Sequence, residues 1–187
     1  MPRLLLAYRS GIFPWTAEPP SWWSPNPRGV FPLDDLHISR SLARTLRGDR
    51  FTITFDRDFR GVITACAQVP RREGETWITP EFIEAYCQLH QAGHAHSVEC
   101  WAGDELVGGV YGVTVDGLFA GESMFHHVSD ASKVALVHLH ERVKRQGFIL
   151  FDTQMITPVT SSLGAVEITR DEYLRRLSVA VKVECRF

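Results

Sequence analysis

The sequence predicts an α+β fold in which helices flank a mixed β-sheet. Short runs of alternating apolar residues predict strands, segments with apolar residues three or four positions apart predict helices, and the two patterns are interleaved along the chain. The 187 residues, 44% of them hydrophobic, are enough for one well-packed domain and a small additional segment. A net charge of -2 argues against a strongly basic nucleic-acid binder, although a local basic patch is compatible with it.

The first 32 residues are rich in proline and tryptophan. They contain seven of the ten prolines and three of the five tryptophans, and proline fixes the backbone while removing a hydrogen-bond donor. We therefore predict that segment 1–32 contains neither helix nor regular strand and is extended and rigid, presenting Trp15, Trp22 and Trp23. These rings could stack on a nucleobase or close onto the main domain, 33–187, as a hydrophobic clasp, and composition alone favours the clasp.

The main domain supplies the regular elements. A helix capped by Ser39 and ended by Gly48 is predicted from LHISRSLARTLRGDR, a strand from FTITF, and two amphipathic helices from FRGVITACA and PEFIEAYCQLHQAG. A three-stranded antiparallel meander is predicted from HAHSVECWA, ELVGGVYGVTV and LFAGESMF, which are separated by Gly-Asp and Asp-Gly turns. A helix from Asp130 to Gln146 follows and ends at Gly147. The chain finishes with the strand FILFDTQ, the helix RDEYLRRL and a last strand, VAVKVEC.

This order of elements is that of the acetyltransferase-like (GNAT-type) fold, which by itself defines no function. In that fold a glycine-rich turn before a helix binds the pyrophosphate of acyl-CoA through backbone N–H groups. The corresponding turn here, SMFHHVSDASK, contains no glycine, and the carboxylate of Asp130 would repel a pyrophosphate. A donor other than acyl-CoA is therefore favoured.

Asp152 and Gln154 end the apolar run of FILFDTQ. Since side chains alternate along a strand, both project from the same face. A carboxylate at the end of a buried strand is either held by hydrogen bonds or kept for chemistry, because its desolvation is costly. The structural alternative is an aspartate that caps the next turn.

Arg40, Arg44 and Arg47 lie three and four residues apart on the predicted helix, so their side chains form a stripe. No acidic residue lies between Arg40 and Arg47. Such stripes are most often solvated faces, but closely spaced arginines also bind phosphates.

The cysteines and histidines indicate neither a disulfide framework nor a metal site. The four cysteines are widely spaced without a CxxC pair, which favours reduced thiols in the cytosol. His94 and His96 would point both rings to one face of a strand without a third ligand, so we expect no metal. No apolar run approaches the roughly 18 residues of a membrane span, and the apolar start is too short for a signal peptide. We therefore expect a cytoplasmic protein.

The chain resembles the leucyl/phenylalanyl-tRNA protein transferases over nearly its whole length. The segments that carry the resemblance occur in the family's order: GIFPW, WWSPNPR, LHISRS, TWIT, AYCQLHQAGHAHSVE, LVGGVYGV, LFAGESMF, ASKVAL, DTQ and SLGA. The family transfers leucine or phenylalanine from aminoacyl-tRNA to proteins that begin with Arg or Lys, which marks them for degradation by the N-end rule. The sequence departs from the family in beginning inside the first helix, so that 1–32 is expected to be a truncated N-terminal domain, in a short tail after Val183, and in Thr157, where the family often has an amide.

Carried over position by position, the resemblance implies that Glu122, Asp152 and Gln154 form the polar reaction centre. Asp152 would polarise or deprotonate the attacking α-amino group together with Gln154, whose amide would donate to Asp152. Glu122 would hold the aminoacyl ammonium group or relay the proton. Because Glu122 shares its strand face with Ala120 and Met124, it packs poorly and suits an ammonium group. Neither a metal nor a cofactor is implied.

The resemblance also implies the binding residues. Trp15 and Trp77 would lie near the terminal adenosine of the tRNA, and the arginine stripe would contact its phosphates. Most of the residues implied for the aminoacyl pocket would belong to a hydrophobic core in any case: Val110, Phe119, Met124, Leu136, Leu139, Val143 and Phe151. The implied partners are tRNA charged with Leu, Phe or Met and proteins with N-terminal Arg or Lys, and we expect a monomer.

Three functions remain open: an aminoacyl transferase, a CoA-dependent N-acetyltransferase and a non-catalytic RNA-binding module. The first explains the most residues. The glycine-free turn disfavours the second, and the third has no need for Glu122, Asp152 and Gln154.

Overall fold

The structure is a computed structural model and describes residues 2–17, 19–69 and 76–187. Within these residues the helices are α1 (Pro2–Arg9), α2 (Arg40–Arg47), α3 (Phe59–Gln68), α4 (Pro80–Gln91), α5 (Ala131–Arg145), α6 (Pro158–Ser162) and α7 (Arg170–Ala180). The strands are β1 (Phe13–Thr16), β2 (Ser21–Trp23), β3 (Arg28–Phe31), β4 (Thr52–Phe55), β5 (Ala95–Ala102), β6 (Glu105–Val115), β7 (Leu118–His126), β8 (Leu150–Gln154) and β9 (Val166–Ile168). No helix in this part of the chain is both long and apolar enough to cross a membrane.

The strands form a small hairpin sheet and one large mixed sheet. β1 and β2 pair antiparallel by themselves, and the seven-stranded sheet has the order β4-β5-β6-β7-β8-β3-β9. β7 and β8 run parallel, whereas β3 is antiparallel to both β8 and β9. The predicted α+β class with a mixed sheet and flanking helices is therefore confirmed.

The register of β7, β8 and β3 places Asp152 in the row next to a row of phenylalanines. Phe119, Phe151 and Phe31 are partners across the three strands, and the next row contains Ala120, Asp152 and Val30. Paired residues on adjacent strands place their side chains on the same face, and neighbouring residues alternate between faces. Asp152 therefore lies on the face opposite the phenylalanines.

The phenylalanine row forms the aromatic part of the core. The ring centroid of Phe151 lies 5.2 Å from that of Phe31 and 5.2 Å from that of Phe119. His140 of α5 meets the Phe31 ring edge-on, and its Nε2 lies 2.9 Å from the Pro32 carbonyl oxygen. Since a carbonyl only accepts, Nε2 carries the proton. Burial lowers the pKa of His140 below its ordinary value, so this side chain is a neutral core residue.

The chain divides into two compact units. The first contains the residues up to His37, Val113–Glu122 and His140–Phe187, and the second contains Ile38–Gly112 and Ser123–Leu139. This division differs from the boundary predicted between residues 32 and 33, which stays a prediction about domains. In the core of the second unit the Tyr111 ring lies 5.7 Å, near perpendicular, from each of the rings of Phe59 and Tyr86.

The prediction that segment 1–32 lacks helix and regular strand is wrong. Residues 2–9 form α1, whose only proline stands at its first position, where the missing N–H costs nothing. The strands β1, β2 and β3 follow, and β3 lies inside the large sheet between β8 and β9. Proline content therefore misled the prediction, because the prolines lie mostly between these elements or in the two-stranded hairpin.

The predicted last strand, VAVKVEC, is also wrong, because α7 continues through its first residues to Ala180. The buried residues of α7 are Tyr173, Leu177 and Ala180, which recur at helical spacing. The alternating valines that suggested a strand therefore belong partly to a helix end. The predicted α2 with its Ser39 cap, α3, α4, α5 and strands β4 to β8 are confirmed.

Gly29 lies where β3 meets the irregular end of β8. Gly29 pairs with Gln154, but the next residue, Val30, pairs with Asp152, so β8 contains one additional residue, Thr153. A Cβ atom on Gly29 would lie 2.8 Å from Thr153 Oγ1 and 3.1 Å from the carbonyl carbon of Met155. The close approach of the two backbones therefore requires glycine at this position.

We expect Gly29→Ala to lower the free energy of unfolding by about 1–3 kcal/mol, because the added methyl group must displace β8. Chemical denaturation measures this change. Gly48→Ala is the matched control, since a Cβ there would meet no atom closer than 3.7 Å. Equal stability of the two variants would show that β8 adjusts to a side chain at residue 29.

Candidate active site

Asp152 lies at the centre of a buried hydrogen-bond network in the first unit. Its Oδ1 accepts from Arg28 Nε at 2.9 Å and from the backbone N–H of Gln154 at 2.8 Å. Its Oδ2 accepts from Arg28 Nη2 at 2.6 Å and from the Tyr173 hydroxyl at 2.9 Å. A carboxylate has about four acceptor positions, so these four bonds occupy all of them.

Arg28 is the cation that balances Asp152, and both side chains are only 1% exposed. The guanidinium carbon lies 4.9 Å from the centroid of the Phe13 ring and 4.3 Å from that of Tyr173. Nη1 donates to the Gly11 carbonyl at 3.2 Å. Burial by itself lowers the pKa of Arg28, but the charge of Asp152 and the hydrogen bonds to it outweigh burial and raise the pKa above its ordinary value. Arg28 is thus permanently charged.

Tyr173 of α7 completes the network as a neutral donor. Its pKa is raised well above the ordinary value, first because it is buried and then because it faces the negative charge of Asp152. The hydroxyl therefore stays protonated and donates a hydrogen bond to Asp152 Oδ2.

Gln154 ends β8 in an unusual backbone conformation. Its φ angle is +64°, in the left-handed region that residues other than glycine rarely adopt. The ladder between β7 and β8 stops at the pair of Ala120 and Asp152. Beyond that pair a side-chain hydrogen bond connects the two strands, since Gln154 Nε2 donates to Glu122 Oε1 at 2.9 Å. The amide therefore links the end of β8 to the middle of β7.

Glu122 is the second carboxylate of the site and differs from Asp152 in exposure. It is half-buried, whereas Asp152 is fully buried. Its Oε1 accepts from the Tyr8 hydroxyl at 2.8 Å as well as from Gln154. Of the two carboxylates, Glu122 is the one that a substrate group can approach from solvent.

The structure brings together the three residues predicted as the reaction centre, with one correction. A hydrogen bond connects Asp152 and Gln154, but it comes from the backbone N–H of Gln154. The side-chain amide, which was predicted to donate to Asp152, donates to Glu122 instead. The left-handed turn at Gln154 is the physical reason, because it ends the regular alternation of β8.

The predicted aromatic and basic residues lie in different places. In the first unit Trp15 is half-buried and its ring stacks on Trp23, with centroids 5.2 Å apart. In the second unit Trp77 is half-buried against Phe82. The arginine stripe lies on α2, where all three side chains are exposed: Arg40, Arg44 and Arg47.

The seven apolar residues implied for a pocket divide between the units. Those in the first unit are buried: Phe119, Val143 and Phe151. Those in the second unit are buried, apart from the half-buried methionine: Val110, Met124, Leu136 and Leu139. Burial alone does not distinguish a pocket wall from a hydrophobic core, so their role stays a prediction.

Sequence reasoning missed Tyr8, Arg28 and Tyr173. One signal was present for Arg28: a buried carboxylate needs a cation, and Arg28 lies two residues before the apolar pair Val30 and Phe31. No local pattern distinguishes Tyr8 or Tyr173 from core tyrosines, because their partners are 114 and 21 residues away.

No three His, Cys, Asp or Glu side chains come together as a metal site within residues 2–17, 19–69 and 76–187. His96 lies at the start of β5 and its Nδ1 is 2.8 Å from Asp56 Oδ2.

Comparison with known proteins places the chain in one family. Residues 30–178 match the family described as leucyl/phenylalanyl-tRNA protein transferase, and residues 1–26 match the description of its N-terminal domain. A leucyl/phenylalanyl-tRNA–protein transferase of Solidesulfovibrio magneticus is 51% identical over 97% of this chain and 75% of its own length. Proteins of that name from Cereibacter sphaeroides and Syntrophobacter fumaroxidans are 52% and 54% identical, covering 100% and 94% of this chain and 87% and 76% of their own.

The protein is therefore a transferase. It belongs to the leucyl/phenylalanyl-tRNA protein transferase family. A solved structure of a conserved protein of unknown function from Staphylococcus epidermidis gives a TM-score of 0.38 at 11% identity over 76% of this chain and 69% of its own.

We expect Arg28→Met to lower the free energy of unfolding by about 3–5 kcal/mol, because it leaves the buried carboxylate of Asp152 without its cation. Adding Asp152→Leu should recover part of this loss. Arg60→Met is the control, since Arg60 and Glu84 form an ion pair of side chains that are 58% and 57% exposed, and its stability should change little. Chemical denaturation measures both. A similar loss of unfolding free energy in Arg28→Met and Arg60→Met would show that burial of the ion pair does not decide its importance.

Proposed function

We propose that the protein transfers leucine, phenylalanine or methionine from aminoacyl-tRNA to the N-terminal Arg or Lys of acceptor proteins and so marks them for degradation by the N-end rule. Family membership supports the reaction class. The observation that carries the proposal is the bond between Gln154 Nε2, at the end of β8, and Glu122 Oε1, on the parallel strand β7. In detail, we propose an acetyltransferase-like (GNAT-type) catalytic fold and a monomer that acts in the cytoplasm, where aminoacyl-tRNA is found.

The chemistry requires orientation and one proton acceptor. The α-amino nitrogen of the acceptor attacks the ester carbonyl carbon of the aminoacyl-tRNA, a C–N bond forms, and the C–O bond to the terminal ribose breaks. The amine loses a proton and the ribose oxygen gains one. Because the ester is already activated, holding the amine against the carbonyl and accepting its proton account for the catalysis required.

Of the two carboxylates, Glu122 suits contact with the amine better than Asp152. All acceptor positions of Asp152 are occupied by protein donors, so a substrate amine could bind only by displacing one of them. Glu122 is half-buried and presents its carboxylate beside the Gln154 amide. We therefore assign Glu122 and Gln154 to contact with the reacting groups and Asp152 to their support.

The donor side of the proposal rests on resemblance. Trp15 and Trp77 are assigned to the terminal adenosine, the arginine stripe to tRNA phosphates, and the seven apolar residues to the aminoacyl side chain. The stripe on α2 is exposed, as phosphate contacts require. Nothing in the turn before α5 favours the alternative donor acyl-CoA, since Asp130 immediately precedes that helix and no glycine is present.

We expect Glu122→Gln to slow transfer by about 10²- to 10⁴-fold, the range for loss of a positioned acid or base, while the protein stays folded. A filter assay with charged tRNA and a protein bearing N-terminal Arg measures the rate. Glu105→Gln, at the exposed start of β6, is the control and should keep the parent rate. Full activity in Glu122→Gln would remove Glu122 from the reaction, and acetyl transfer from acetyl-CoA by the parent would favour the alternative donor.

Binding of aminoacyl-tRNA should weaken as salt rises, because arginine–phosphate contacts release counterions. Replacing Arg40 and Arg44 together by Ala should weaken binding and reduce the slope of log affinity against log salt by about 1 for each lost contact. Arg175→Ala, an exposed cation on α7, is the control. A salt slope that is the same in the parent and the double variant would exclude α2 as the tRNA surface.

A further inference from the structure

We propose that Arg28 and Tyr173 are positioning residues of the transfer reaction, which hold the Gln154 amide against Glu122 through the carboxylate of Asp152. Their effect on rate rests on the proposed function, but their effect on the Gln154 side chain does not. Neither residue lies among those that sequence reasoning assigned to the site.

The first step is that Asp152 is held in a fixed position and orientation by its donors. Arg28 binds it through two parallel N–H groups, and Tyr173 binds Oδ2. A bidentate arginine fixes the plane of a carboxylate as well as its location. Oδ1 is thereby aimed at the backbone N–H of Gln154, which it accepts at 2.8 Å.

The second step is that Gln154 depends on this bond for its conformation. A φ angle of +64° lies outside the backbone regions that residues with a side chain favour. Such conformations persist only where surrounding contacts hold them. The bond from its N–H to Asp152 is the contact on the backbone side. The amide reaches Glu122 from this conformation, so the orientation of the amide follows from the position of Asp152.

The third step concerns the other donor to Glu122. The hydroxyl of Tyr8 shares Oε1 of Glu122 with the Gln154 amide. Three residues after Tyr8, the Gly11 carbonyl accepts from Arg28 Nη1 at 3.2 Å. One guanidinium therefore supports both donors to Glu122, one through Asp152 and the other through the end of the first helix.

Tyr173→Phe and Arg28→Lys test the proposal. The first removes one donor to Asp152 and leaves the ring beside Arg28, and the second keeps the positive charge but loses the bidentate geometry. We expect kcat to fall by about 10- to 100-fold, the effect of misplacing a reacting group, with KM for both substrates nearly unchanged. In a Gln154→Ala background Tyr173→Phe should not lower kcat further, since the group it positions is gone, and Arg28→Lys should keep only the smaller part of its effect that passes through Tyr8.

A general loss of stability would behave differently. Val62→Ala, in the core of α3 and outside the network, is the control, and it should leave kcat of the folded enzyme unchanged. If Tyr173→Phe and Arg28→Lys lowered kcat by the same factor with and without Gln154, positioning through Gln154 would be excluded.

A second readout is independent of activity. The chain contains five glutamines, so the side-chain amide signals of Gln154 are identified in a ¹⁵N spectrum by their loss in Gln154→Ala. We expect Tyr173→Phe to shift these signals and leave those of the other glutamines in place. Unchanged Gln154 signals in both network variants would overturn the proposal whatever the transfer assay gives. An inactive parent with shifted signals would overturn the proposed function alone.

Discussion

The buried ion pair between Arg28 and Asp152 is the interaction on which the rest of the site depends. Removing two charges from water is costly, and the cost is offset only where geometry is good and further hydrogen bonds satisfy both groups. Here the pair is bidentate, Tyr173 and the Gln154 backbone fill the remaining acceptor positions of Asp152, and Gly11 accepts from Arg28. The pair thus connects β3, β8, α7 and the end of α1.

The two carboxylates of the site differ in burial and in their hydrogen-bond partners. Protein donors occupy all acceptor positions of Asp152, and its side chain is inaccessible to solvent. Glu122 stands two residues past the last rung of the β7–β8 ladder, is half-buried and accepts from the neutral donors Tyr8 and Gln154. A buried charge with a fixed partner supports geometry, whereas a half-buried one can exchange partners with a substrate.

Much of the fold was predictable because its signals are local. The Ser39 cap of α2, the glycines that follow α2 and α5, and the alternation of β4 to β8 are signals from residues within or next to one element. The predictions failed at the two ends of the chain. There a proline-rich composition concealed α1 and β3, and alternating valines at the end of α7 imitated a strand. In both places contacts with distant residues decide the conformation, and composition does not record them.

For the site, the sequence by itself determined which polar residues stand among apolar neighbours: a carboxylate and an amide ending a buried strand, and a second carboxylate on another strand. Only the tertiary structure decided how they are arranged. Arg28 is 124 residues from Asp152, and the left-handed turn at Gln154 directs its amide to Glu122 instead of Asp152. The sequence gives the type of each residue, but hydrogen-bond partners depend on which strands become neighbours. In this sheet β3 lies beside β8, although most of the sequence separates the two strands.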